Sequence, residues 1–212
     1  SCAAGRLHSV AQLQEATQQL ITSHFDDLDA RLISETATSA LLEEVYTTPK
    51  PGLVDRRNSG SHKDMDIFTF LASCAALQPY FTDCARIGME TATASPGVTF
   101  ERIRFRGKLA EQEMYRATGG INTHKGVIFS LGILCAAMGR LPWSTYSTEA
   151  ICDQAAAMTA GLTARDMADC PCSTTGEKFW KTHGIVGARG QAEAGFPAVL
   201  EVGLPVLKEG IL

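Results

Sequence analysis

No hydrophobic run in this sequence reaches the roughly 20 residues that a membrane-spanning helix needs; the longest, residues 127–139, falls well short and reads as a buried helix. Residues 1–6 lack the basic stretch and apolar core of a secretory signal. An excess of one charge is missing too. The net charge is −4, and the 19 Lys and Arg are scattered rather than gathered into a stripe that could track a phosphate backbone, so no nucleic acid partner is expected. Seven widely spaced cysteines, an odd number, fit a reducing, cytoplasmic setting better than a disulfide scaffold. Cys170 and Cys172 flank Pro171 with no second pair or histidine at zinc-finger spacing, and read as loop thiols. Neither a Walker A loop nor a Gly-x-Ser-x-Gly elbow occurs, which disfavours the familiar phosphoryl-transfer and hydrolase scaffolds. No alternating run of β-branched residues is long enough for a strand.

What remains is ordinary globular material: 212 residues, 45% hydrophobic and 20% charged, enough for one core. The expectation is all-α, a single multi-helix domain with long polar loops forming the site. Apolar positions Leu7, Val10, Leu13, Leu20 and Ile21 predict one amphipathic helix. A second follows Asp26-Asp27, with Leu28, Leu32, Ile33, Leu41, Leu42 and Val45 inward, ending before Pro49. Residues 47–65, with two prolines and little periodicity, predict a long ordered loop, a length usually associated with function or disorder. Asp64 or Asp66 would cap the next helix, which Pro79 should kink or end, with a shorter piece at 81–88. Thr99 is the expected cap of a helix through Ala117 whose stripe is Ile103, Gly107, Ala110, Met114 and Ala117, with Glu111 beside it. Residues 125–138 predict a central core helix, 147–158 another, 169–176 a loop, and Gln191 the start of a final helix.

Two polar segments carry the candidate chemistry. The first is Thr48-Pro49-Lys50-Pro51-Gly52-Leu53-Val54-Asp55, continuing to Asn58, Gly60, Ser61, His62, Lys63, Asp64 and Met65. It gathers cations, a histidine and carboxylates on a proline-stiffened loop, although Asp64 could be a mere cap and the lysines merely solvated. The second is Thr118-Gly119-Gly120-Ile121-Asn122-Thr123-His124-Lys125-Gly126, at the start of the core helix, where free amides and the helix dipole attract anions. A plain capping loop would explain Thr123 but not the rest. Both contain His-Lys preceded by Asn, which suggests two half-sites on one ligand. A third, weaker candidate is Gly187-Ala188-Arg189-Gly190-Gln191-Ala192-Glu193.

These segments, with Gly60-x-His62-Lys63-Asp64-Met65 and Arg189-Gly190-x-Ala192-Glu193-x-Gly195 in the same order, resemble the triphosphoribosyl-dephospho-CoA synthase family over residues 32–205. The resemblance implies an all-helical transferase that joins ATP and 3′-dephospho-CoA into 2′-(5″-triphosphoribosyl)-3′-dephospho-CoA and releases adenine. In such systems a separate holo-transferase, sometimes fused to the synthase, passes the product to the acyl carrier protein of citrate lyase or malonate decarboxylase. Members of the family usually continue beyond the position of Leu212, so residues 1–212 would be one helical synthase-like domain without the C-terminal region.

Substitution at the ribosyl C1′ of ATP passes through an oxocarbenium-like transition state, which a carboxylate near the ring and an acid for the departing base would assist. On this reading Lys50, Lys63, Lys125, Asn122, Thr123 and Arg189 hold substrate phosphates, and Asp55 and Asp64 hold Mg²⁺. His62 or His124 takes the proton of the attacking 2′-hydroxyl, with Glu111 and Glu193 as the alternatives. The runner-up is a nucleotide-binding regulatory protein of the same fold without catalysis. A purely structural helical module leaves the polar loops unexplained.

Overall fold

The structure, a computed structural model, describes residues 10–168, 182 and 187–211. Among them there are helices and connecting loops but no strand: α1 (Val10–Tyr46), α2 (Ile67–Glu90), α3 (Pro96–Ala117), α4 (Lys125–Arg140), a 3-10 turn at Trp143–Thr145, α5 (Thr148–Thr159), α6 (Leu162–Ala168), α7 (Gly187–Glu193), a π-helical stretch Ala198–Gly203 and α8 (Leu204–Ile211). The loop expected at 169–176, with Cys170 and Cys172, lies outside the described residues.

The two helices expected around Asp26-Asp27 are one. Residues 10–46 contain neither Gly nor Pro, and two aspartates alone do not break a helix once it is propagating. Its buried stripe is Ala30, Ile33, Ala37, Leu41 and Val45, while Leu28, Leu32 and Leu42, expected inside, are exposed. The neighbour that covers α1 is chiefly α2, and one neighbour buries only a narrow seam.

Asp66 starts α2 with a capping box: its carboxylate accepts from the Thr69 amide at 2.9 Å, and the Asp66 amide donates to the Thr69 hydroxyl. The helix then passes through Pro79 without ending. A proline inside a helix costs about 3 kcal/mol. Here the residues just past it, Tyr80, Phe81, Cys84 and Ala85, are all buried, and their packing holds the segment helical. Beside the proline, the Ser34 hydroxyl of α1 donates to the Gln78 carbonyl at 2.9 Å.

Ser95, not Thr99, precedes α3, and Pro96 takes the first helical position, where its missing N–H has no partner to lose. Thr99 is buried instead, its hydroxyl 2.7 Å from that of Thr91. The Arg140 guanidinium, from the end of α4, donates to the Thr99 hydroxyl and to the carbonyls of Thr91, Ala92 and Ala94, tying the turn between α2 and α3. The α3 stripe is buried as expected except at Ala117, which is exposed.

The core helix α4 touches α1, α2, α3, α5 and α7. Its approach to α2 is close because both carry glycine at the crossing: a Cβ at Gly88 would collide with the Ala136 carbonyl, and one at Gly139 with the Ala85 carbonyl. Two turns earlier on α4, a Cβ at Gly132 would strike the Tyr80 hydroxyl, which donates to the Ile128 carbonyl at 2.9 Å. The final region starts at Gly187 rather than at Gln191.

Candidate active site

The loop at 47–66 is organised around Asp55, which is buried. Its Oδ2 accepts from the Thr48 hydroxyl at 2.6 Å and the Lys50 amide at 3.3 Å, and its Oδ1 accepts from the amides of Arg57 and Asn58 at 2.8 and 2.9 Å. The Thr48 hydroxyl, then these amides, hold its carboxyl below the ordinary carboxylate range. All the lone-pair positions of the carboxylate are thereby used within the loop, so Asp55 does not fit as a Mg²⁺ ligand. Asp64 is exposed, with its Oδ1 3.8 Å from His62 Nδ1. No group of three His, Cys, Asp or Glu among the described residues is gathered for a metal ion.

Lys50 is engaged within the chain: its ammonium donates to the Glu44 carbonyl at 2.8 Å and pairs with the Glu44 carboxylate at 2.9 Å. A cation at the C-terminal end of a helix satisfies unpaired carbonyls and complements the dipole, and that is the part Lys50 plays for α1. Lys63 is exposed on the loop, and His62 is partly exposed.

The two His-Lys pairs occupy unlike environments. His124, immediately before α4, is buried; its Nδ1 lies 2.8 Å from Ser73 Oγ of α2, and the Phe70 ring meets it edge to face. The Thr123 hydroxyl donates to the same Ser73 Oγ at 2.8 Å. The serine oxygen has two lone pairs and one hydrogen, so it accepts from Thr123 and is matched to either tautomer of the imidazole, donating to a bare Nδ1 or accepting from a protonated one. The other ring nitrogen, Nε2, is buried with no hydrogen-bond partner among the described residues. Burial pulls the His124 pKa down to about 4. The histidine is therefore neutral near pH 7, with Nδ1 engaged by Ser73 and Nε2 without a partner among the described residues.

A second centre lies on the other side of α4. A cleft of about 280 Å³ is lined by Glu111 of α3, Lys125 of α4 and Arg189 of α7, three of the candidates from sequence. Lys125 pairs with Glu111 at 3.0 Å, which raises the pKa of the lysine. Arg104 and Lys108 of α3 and Asp166 of α6, which sequence reasoning missed, complete the charged wall. Asp166 places one oxygen 3.0 Å from Arg104 and the other 3.1 Å from Arg189. Tyr80, Phe100, Ile103 and Phe129 form the apolar side. Four cations face two carboxylates beside an aromatic surface, a lining suited to an anionic ligand with an apolar ring.

Of the other candidates, Glu193 accepts from the amides of Gly161 and Thr163 at 2.7 and 3.0 Å, so its carboxylate anchors the start of α6 instead of facing a substrate. Asn122 accepts from the Lys125 amide at 3.4 Å and serves α4 in the same way. Arg104 and Lys108 stand four apart on an exposed helical face, a signal visible in the sequence. Ser73 and Asp166 had none, because their partners come from distant segments.

The family model described as CitG, ATP:dephospho-CoA triphosphoribosyl transferase, matches residues 30–211. A probable 2-(5″-triphosphoribosyl)-3′-dephosphocoenzyme-A synthase of Lactiplantibacillus plantarum is 43% identical over 187 residues, 85% of this chain and 66% of that protein. The synthase of Pectobacterium atrosepticum is 38% identical over 206 residues, covering 94% and 67%. Protein CitXG of Haemophilus influenzae is 39% identical over 205 residues, covering 92% of this chain and 43% of the relative. The chain thus spans about two thirds of the length of the first two relatives. No solved structure matches it. The ordered motifs, the all-helical fold and the extent of these matches place the chain in the ATP:dephospho-CoA triphosphoribosyl transferase family.

Proposed function

We propose that this chain joins ATP and 3′-dephospho-CoA to form 2′-(5″-triphosphoribosyl)-3′-dephospho-CoA with release of adenine. The observation that carries the reading, besides family membership, is that Glu111, Lys125 and Arg189, far apart in sequence, line one cleft. The reaction makes one bond and breaks one: the 2′-oxygen of dephospho-CoA bonds to C1′ of the ATP ribose, the C1′–N9 bond breaks, and adenine leaves with a proton. The cleft cations hold the triphosphate, which stays intact. Glu111 is the carboxylate placed to stabilise the developing oxocarbenium charge or to take the hydroxyl proton. Mg²⁺ belongs to this proposal as an ion carried in by the nucleotide, and no step is routed through it.

The four described cysteines, Cys74, Cys84, Cys135 and Cys152, are free and buried, which supports a reducing, cytoplasmic setting. A holo-transferase that hands the product to an acyl carrier protein is the partner this reading requires. Incubation of the chain with ATP, Mg²⁺ and 3′-dephospho-CoA should release free adenine, detectable by chromatography, only when both substrates are present. ATP binding without adenine release would favour the regulatory alternative instead.

A further inference from the structure

We propose that Arg104, Lys108, Lys125 and Arg189 are the grip for the linear polyphosphate of a nucleotide, and that Asp166 is the positioning residue that aims the two arginines. The inference rests on the cleft being the nucleotide site of the proposed reaction, and it moves the phosphates away from the loop lysines. Lys50 is committed to the end of α1. Arg104 and Lys108 lie one turn apart on α3, so their side chains leave the same face. Lys125 enters from α4 and Arg189 from α7, and together the three elements surround the cleft with cations.

Asp166 is the feature that makes this a built arrangement. Its side chain is 13% exposed, and it takes Nη1 of Arg104 on one oxygen and Nε of Arg189 on the other. Each guanidinium thus spends one edge on the carboxylate and retains further N–H groups. A guanidinium fixed through one edge presents the rest in a planar fork that matches phosphate oxygens. Glu111 stands on Lys125 at 3.0 Å, so a phosphate oxygen that takes the lysine also releases the carboxylate beside it. The apolar side, with Phe100 and Phe129, is left for the ribose and base.

Calorimetric titration of the whole chain with inorganic tripolyphosphate, ATP and adenosine tests this. Tripolyphosphate should bind saturably. The double variant R104Q/K108Q should lose ten-fold or more of that affinity, while Arg102→Gln, which removes a charge from the same helix outside the cleft, should not. Asp166→Asn separates aiming from bulk charge. Loss of a negative charge alone would tighten anion binding, whereas loss of the clamp should weaken it several-fold with the unfolding temperature unchanged. Tripolyphosphate that fails to bind, or that binds the double variant as tightly as the parent, overturns the assignment; tighter binding by D166N overturns the positioning role. Intact tripolyphosphate binding without adenine release would bring down the transferase reading and leave the phosphate grip standing.

Discussion

At the scale of single residues, the chain shows how little a residue's type says about its task. Asp55, Lys50 and Glu193 all read as chemistry in the sequence, and all three are consumed by backbone: Asp55 by its own loop, Lys50 by the end of α1, Glu193 by the start of α6. Unpaired N–H and C=O groups at loop corners and helix ends are obligatory customers for charged side chains, and a linear reading does not show which ones are met. His124 was legible as important but not in its state, because burial sets its pKa and its hydrogen-bond partner, Ser73, is 51 residues away. A measurable consequence follows from its depressed pKa. The folded state binds fewer protons than the unfolded chain between an ordinary histidine value and about 4. Stability is therefore full above about pH 6.5 and falls as pH drops through that window, by an amount on the order of 3 kcal/mol. Denaturant melts from pH 7 to 4 should show the decline, and His124→Gln should flatten it; an unchanged acid limb in that variant would remove His124 as its source.

At the scale of elements, most helices were readable from periodicity and the start of α2 from capping chemistry, at Asp66. What escaped were the places where packing overrides a local signal. Pro79 reads in the sequence as a kink or an end of α2, and the buried Tyr80 and Phe81 carry the helix past it without an end. Thr99 looks like a cap, yet Pro96 starts the helix one turn earlier and Thr99 becomes part of the buried Arg140 junction. The contact between α2 and α4 was also hidden, since Gly88 and Gly139 are ordinary helix-weakening glycines until the two backbones are seen together. Gly88→Ala would raise helix propensity and still destabilise the protein, by roughly 1–3 kcal/mol, because the new methyl group meets backbone that cannot rotate away. A denaturant midpoint shifted downward would bear this out; a stabilised variant would mean that the crossing can open.

At the scale of the whole molecule, the sequence places the polar segments on one chain but says nothing of their separation, and the structure gives the second of them two environments, His124 packed on Ser73 and Lys125 lining the cleft. Ser73, which holds His124, and Tyr80, which lines the cleft, both belong to α2 and stand seven residues apart. An α-helix rises about 1.5 Å per residue, so Ser73 and Tyr80 are spaced by about 10 Å along α2. That helix acts as a ruler. It is anchored at its start by the Asp66 capping box and clamped at its far end by the glycine crossing, so the spacing is not free to adapt. A ligand that reaches from the Tyr80 side of the cleft to the Ser73 end of this ruler is an extended one, and shortening it should break one engagement before the other. Nucleotides with two and three phosphates should then differ more in adenine release than in binding, whereas equal turnover would mean that a single centre does all the recognition.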